Sequence, residues 1–279
     1  MSTALIPSPN RPHASSQRAP RFLDRDPLLN YSAARALLYE SASVAGMAES
    51  GEAVVGVAIA GKPLAGEPPI VWLDAIGPIA LRRLLATLRH APRRFLVHRS
   101  WMDAVVSRES GPVRIRHGIE LFSGDVIQAA GAAVAPVLPL SSAIIDAVRG
   151  GSPAWNLTAL AEQAARGGEA YGVVLEGVLV AHAACGFPAG LVEEITHVYT
   201  APTWRGKGLA QAVTLAAARA IIARGHRPLY RSRTGNAASR RVAERCGLTH
   251  FASARELLVD AGGAPGRHSS ARLDKGAYP

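Results

Sequence analysis

The chain has 279 residues, a formal net charge of +10 at pH 7, an apolar fraction of 48% and only two cysteines. That length allows one large or two modest domains with ample material for cores. The longest apolar candidate, Ala129 to Leu140, is short and broken by Pro136 and Pro139, which argues against a membrane-spanning helix. Cys185 and Cys246 lack metal-like spacing, and the first twenty residues show no apolar signal region, so a cytoplasmic location is expected and no metal is.

Residues 1–20, rich in Pro, Ser and Arg, are expected to be a disordered tail. Asp26-Pro27 opens a helix with apolar positions at Leu28, Leu29, Ala33, Leu37 and Leu38, because Asp suits the cap and Pro the first turn. Strand patterns at Ala53–Ala60, Ile70–Leu73 and Arg94–Val97 alternate with helical ones at Ile79–Leu88 and Trp101–Val106, and Val113–Phe122 is extended. This stretch, 21–133, reads as a domain with its own core.

Gly124–Val134, rich in small residues, is a linker candidate, and a second domain is placed at 134–262. Val137–Leu140 starts it, helices follow at Ser141–Val148 and Leu157–Arg166, and Tyr171–Leu175 and Val178–Ala184 flank the two-residue turn Glu176-Gly177. Then come a strand at Leu191–Thr200, a helix at Leu209–Ala223 closed by Gly225, a strand at Leu229–Arg233, a helix at Ser239–Arg245 and a strand at Phe251–Val259. Residues 263–279 are expected to be a second disordered tail.

Residues 198–210 read VYTAPTWRGKGLA, and about thirty residues later comes NAASRRVAERCGL. A helix start presents unpaired backbone N–H groups and the positive end of the macrodipole. Gly206 and Gly208 leave that backbone open to an anion, and Arg205 and Lys207 add charge, so the turn suits a pyrophosphate. No Walker loop and no Gly-x-Gly-x-x-Gly after a strand competes. Arg205-x-x-Gly208-x-Ala210 resembles the acyl-CoA loop of the GCN5-related N-acetyltransferases, and Asn236 and Ser239 stand where that family often contacts coenzyme A. The YTxP variant resembles its two-domain branch with a C-terminal FR47-like catalytic domain.

The resemblance implies an α/β fold, a mixed and mostly antiparallel sheet flanked by helices, in the C-terminal half, with a diverged version at 21–133. It implies acetyl-CoA as cosubstrate, contacted by Val198, Tyr199, Thr200, Arg205, Gly206, Lys207, Gly208, Leu209, Ala210, Asn236 and Ser239. A fragment of the second domain, residues 136–262, is expected to bind it alone but to lose acceptor turnover, with the first domain walling the acceptor cleft. The arginines of 201–245 fit the same ligand, whose pyrophosphate and ribose phosphate are anions.

Acetyl transfer to an amine requires deprotonation, which for an amine of pKa near 10 costs about 4 kcal/mol at pH 7, and a held oxyanion. Glu194 is the first candidate base, then Glu193 and His197, with Glu193 and Glu194 on opposite strand faces. Ala243 stands where many relatives carry a proton-donating tyrosine. The expected reaction is direct attack by the primary amine of a small molecule or amino-acid-like acceptor. A protein N-acetyltransferase, a coenzyme A-binding sensor without catalysis, and nucleic-acid binding through the Ser239–Arg245 helix are the rivals, and dimerisation stays open.

Overall fold

The computed structural model describes residues 18–62, 67–88, 94–125, 135–148 and 154–259. The first half contains α1 (Arg18–Leu23), α2 (Pro27–Tyr39), β1 (Ser43–Ser50), β2 (Ala53–Ala60), β3 (Val71–Ala75), α3 (Pro78–Thr87), β4 (Arg94–Val97), α4 (Ser100–Ser110) and β5 (Val113–Ser123). The second contains β6 (Leu138–Pro139), α5 (Ser142–Ala147), α6 (Ala154–Ala165), β7 (Ala170–Leu175), β8 (Val178–Cys185), β9 (Val192–Thr200), α7 (Leu209–Ala223), β10 (Arg227–Arg233), α8 (Ala237–Arg245) and β11 (Thr249–Val259). The tail expected at 263–279, most of that at 1–20 and most of the linker lie outside the described residues, while α1 begins inside the first expected tail.

Local chemistry explains the element boundaries. Asp26 accepts a hydrogen bond from the Leu29 N–H and Pro27 fills the first turn of α2. Glu176 and Gly177 both have positive φ, 52° and 76°, the twist that a two-residue hairpin turn requires, and so join β7 to β8. α7 buries Leu209, Val213, Ala217, Ile221 on one face against β8 and β9, and ends at Gly225, whose φ is 79°.

Among the described residues, eleven strands form one sheet in the order β1-β2-β3-β4-β11-β5-β10-β9-β8-β7-β6. Two neighbouring pairs are parallel, β3 with β4 and β9 with β10, and the rest are antiparallel. The two halves exchange strands. β5, from the first half, lies between β10 and β11, and β11, from the second, lies between β4 and β5. Ile119 therefore faces Arg233 on one side and Ala254 on the other. Glu256 fixes this seam, buried with its carboxylate 2.7 Å from Arg94 Nε and 3.4 Å from Arg116 Nη1. A cut at 133/134 would take β5 from two of its neighbours, so residues 136–262 are not a self-contained sheet.

The order β3–α3–β4–α4–β5 repeats as β9–α7–β10–α8–β11. In the first half, the region past the paired ends of β3 and β4 is filled. Asp74 is buried and takes hydrogen bonds from Asn30 Nδ2 at 3.0 Å and His98 Nε2 at 3.1 Å. In the second half, the corresponding region is open.

Candidate functional site

β9 and β10 pair in parallel from Val192 and Arg227 to Ile195 and Tyr230. Past that rung β9 is bulged. Thr196 faces Ala184 and Tyr199 faces His182, so three steps on β9 match two on β8. His197 takes up the extra residue with φ of 51°, a left-handed backbone that side chains rarely adopt. His182, fully buried, hydrogen-bonds the His197 backbone and stacks on Tyr199 with ring centroids 5.6 Å apart. Burial drives its pKa down to about 4, which leaves the ring neutral at pH 7.

A cavity of about 490 Å³ lies beyond the parting of β9 and β10. Val198, Tyr199 and Thr200 line it from β9, and Arg205, Gly206, Gly208, Leu209 and Ala210 from the turn and the start of α7. Tyr230, Asn236, Ser239, Arg241 and Arg245 line the opposite side. The turn begins with a single 3₁₀ turn, Pro202–Trp204, and continues through Gly206 and Gly208 with φ of 78° and 77°. A side chain at either would strain the backbone. No side chain caps the start of α7 and no acidic residue sits in its first turn, which leaves N–H groups for an anion. Three arginines and no carboxylate line this cavity.

The structure brings all but one of the expected cosubstrate residues to this cavity. Lys207 is the exception; its ammonium lies over the Trp204 ring, 4.3 Å from the centroid. Asn236 caps α8 by accepting the Ser239 N–H at 3.1 Å, and Ser239 Oγ lies 2.9 Å from Tyr230 Oη. Ala243 is fully buried in the core; two tyrosines, Tyr199 and Tyr230, line the cavity, and the pKa of Tyr230 is raised by burial. Sequence reasoning passed over Tyr230, and took Arg241 and Arg245 only as part of the basic run at 201–245. The arginines' i, i+4 spacing after Asn-x-x-Ser could have flagged them, whereas a strand tyrosine carries no local signal.

The three candidate bases separate. Glu193 lines neither this cavity nor the one described next; Arg224 Nη2 and His226 Nδ1 hold its carboxylate at 2.7 and 3.0 Å. Glu194, on the opposite face, is held by Arg231 Nε at 2.5 Å and Nη2 at 2.7 Å. Arg231 in turn donates through Nη1 to Ser32 Oγ of α2 at 2.9 Å. His197 is held below the usual imidazole pKa by burial, with Glu194 opposing the shift. Glu194 and His197 both line a second cavity of about 270 Å³, completed by Tyr31 and Arg35 of α2, Glu162 and Arg166 near the end of α6, and Phe187. His197 thus stands on this second wall, and its neighbour Val198 lines the first cavity. Tyr31 and Arg35 carried no site signal in the sequence, because only the fold brings α2 to β9.

Among the described residues no helix is long and apolar enough to cross a membrane, and no cluster of side chains suited to a metal ion occurs. Residues 171–256 match the family described as FR47-like protein. No curated protein matches the chain in sequence. Similar solved structures include a GNAT-family acetyltransferase from Colwellia psychrerythraea, 13% identical, covering 88% of this chain and 96% of that one, with a TM-score of 0.58. A GCN5-related N-acetyltransferase from Kribbella flavida is 19% identical over the same shares, with a TM-score of 0.55. A tandem GNAT protein from the clavulanic acid biosynthesis pathway is 14% identical over 90% and 97% of the two chains, with a TM-score of 0.54. At these identities the likeness is one of fold.

Proposed function

Residues 171–256 match the FR47-like family, and from that match we propose that this chain is an acetyltransferase that moves acetyl from acetyl-CoA to the primary amine of a small or amino-acid-like acceptor. The observation that carries the reading is the cavity between β9 and β10, with an uncapped helix start, three arginines and no carboxylate in its wall. The amides of the α7 start and Arg205 suit a pyrophosphate, and Arg241 and Arg245, one helical turn apart, suit a ribose phosphate. Main chain at Val198–Thr200 would hold the pantetheine arm and polarise the thioester carbonyl.

The acceptor would enter from the second cavity, whose volume of about 270 Å³ favours a small amine over a protein terminus. His197, neutral at pH 7, takes the amine proton and passes it to solvent. The amine nitrogen attacks the thioester carbonyl, the C–N bond forms and the C–S bond breaks. Tyr230 supplies a proton to the departing thiolate, with Ser239 orienting its hydroxyl, and regains one as the nitrogen sheds its second proton on becoming an amide. The half at 21–133 is read as a diverged copy, on its matching element order, its filled region at Asp74 and His98, and Pro78 in place of a basic glycine turn. Two free, buried cysteines support a cytoplasmic location.

Acetyl-CoA at a hundred times its dissociation constant should stabilise the fold by about 2.7 kcal/mol, and thiol release should require an added amine. Stabilisation without thiol release from any amine would favour the sensor reading.

A further inference from the structure

The second cavity carries positive charge that its own carboxylates do not neutralise. Its wall holds three arginines and two glutamates. Arg231 and Glu194 satisfy one another at both ends of the guanidinium–carboxylate pair. Arg35 gives Nη2 to Glu40, which lies outside the wall, while its Nε is buried and has no hydrogen-bond partner among the described residues. A buried charged donor without an acceptor is costly, and such orphans are rare in folded proteins. Arg166 enters from the other half of the chain and is exposed, with no ion pair among the described residues.

We infer that the acceptor is an amine that also carries a carboxylate, seated on Arg35 and Arg166 with its amine toward His197. The inference rests on the acetyl-transfer reading and names the substrate class for it. A carboxylate accepts from a guanidinium in the geometry that Arg presents. A polyamine or a lysine-rich peptide would bring cations against a wall in which arginines outnumber carboxylates, a like-charge juxtaposition that selects against such partners. The cavity, at about 270 Å³, falls just under the range that holds drug-sized ligands and suits a single amino acid. The reaction balances without a further reactant: ammonium and acetyl-CoA give the N-acetyl acid, free coenzyme A thiol and one proton released to solvent. Because Arg35 lies on α2 and Arg166 follows α6, the two halves of the chain share acceptor recognition.

The test uses the full chain, saturating acetyl-CoA and thiol release as the readout. The panel is the twenty standard L-amino acids, their methyl esters, the corresponding decarboxylated amines, and spermidine. The expected result is at least one free amino acid whose kcat/KM exceeds that of its ester and its decarboxylated amine tenfold or more. Arg166→Ala, on the surface and safe for folding, and Arg35→Gln should each erase most of that difference through KM. Both should leave the acetyl-CoA dissociation constant, measured by calorimetry, unchanged. A carboxylate-free amine as the best substrate, or discrimination that survives both substitutions, overturns the inference. Failure of the underlying reading looks different: acetyl-CoA does not bind, or no amine of any kind releases thiol.

Discussion

Arg231 grips Glu194 at two points, 2.5 and 2.7 Å, and passes its remaining nitrogen to Ser32 of α2. A carboxylate so engaged is a brace, because losing the pair would untie α2 from the sheet. Glu194→Gln should therefore lower stability, by on the order of 2 kcal/mol for half of a largely buried pair. It should also leave the acid limb of the pH–rate profile in place if His197 is the base, as proposed. An unfolding midpoint unchanged from the native protein, together with a lost acid limb, would return the base to Glu194. Glu193→Gln should weaken the pair with Arg224 and His226 and leave the limb untouched.

The strand exchange makes a prediction about fragments. Residues 136–262 lack β4 and β5, so β10 loses its antiparallel partner and β11 both of its flanking strands. Expressed alone, this fragment should fail to unfold cooperatively and fail to bind acetyl-CoA, and co-expression with 18–133 should restore both. A cooperative transition in the isolated fragment would show that β11 and β10 can close without β5.

That exchange is also where sequence reading stopped. The glycine turn, α7 and β10 were legible because each rests on neighbours a few residues apart: a positive φ, an apolar stripe, an alternating strand pattern. β5 was read as extended from its own pattern, yet nothing in Val113–Ser123 names its partners, which come from more than a hundred residues away. β1 was missed because Gly46 and the alanines of Ser43–Ser50 carry little strand propensity; pairing with β2 supplies the order instead. The second cavity was invisible for the same reason, since Arg35 and Arg166 meet only in the fold.

Gly206 and Gly208 separate strain from contact. A Cβ at Gly206 would meet nothing within 4 Å, so Gly206→Ala should cost only the left-handed backbone strain, about 1 kcal/mol. Gly208→Val adds a branched side chain at the helix start itself and should abolish the acetyl-CoA-induced rise in melting temperature. Retained binding in Gly208→Val would remove the pyrophosphate from this turn.

His182 gives the fold a pH dependence with a defined sign. Its folded pKa, about 4, lies below the unfolded value near 6.5, so the unfolded chain binds the extra proton between them. Stability from this residue is complete above pH 6.5 and is lost as pH falls toward 4, by up to about 3 kcal/mol. Because the ring stacks on Tyr199, acetyl-CoA affinity should fall over the same window. Denaturant titrations from pH 7 to 4 should show the slope, and His182→Phe should flatten it. An equal slope in that variant would assign it to other groups.

Tyr230 bears on how the thiolate leaves. Its hydroxyl lies 2.9 Å from Ser239 Oγ in the wall of the first cavity, and burial raises its pKa, so it stays protonated across the neutral range. The ring is also held by an edge-to-face contact with Phe122 at 6.4 Å, which fixes the hydroxyl's direction. Tyr230→Phe keeps the ring and removes only the proton donor. If that donor serves the thiolate, kcat should fall on the order of a hundredfold, while the acetyl-CoA dissociation constant changes by no more than a few-fold. Ser239→Ala, which leaves the phenol without its partner, should fall between the two. Any descending alkaline limb of the native profile, set above the ordinary tyrosine range by that burial, should vanish in Tyr230→Phe and survive in Ser239→Ala. Turnover in Tyr230→Phe equal to that of the native protein would mean that water protonates the thiolate. The phenol would then be a packing group whose hydroxyl serves only to seat α8.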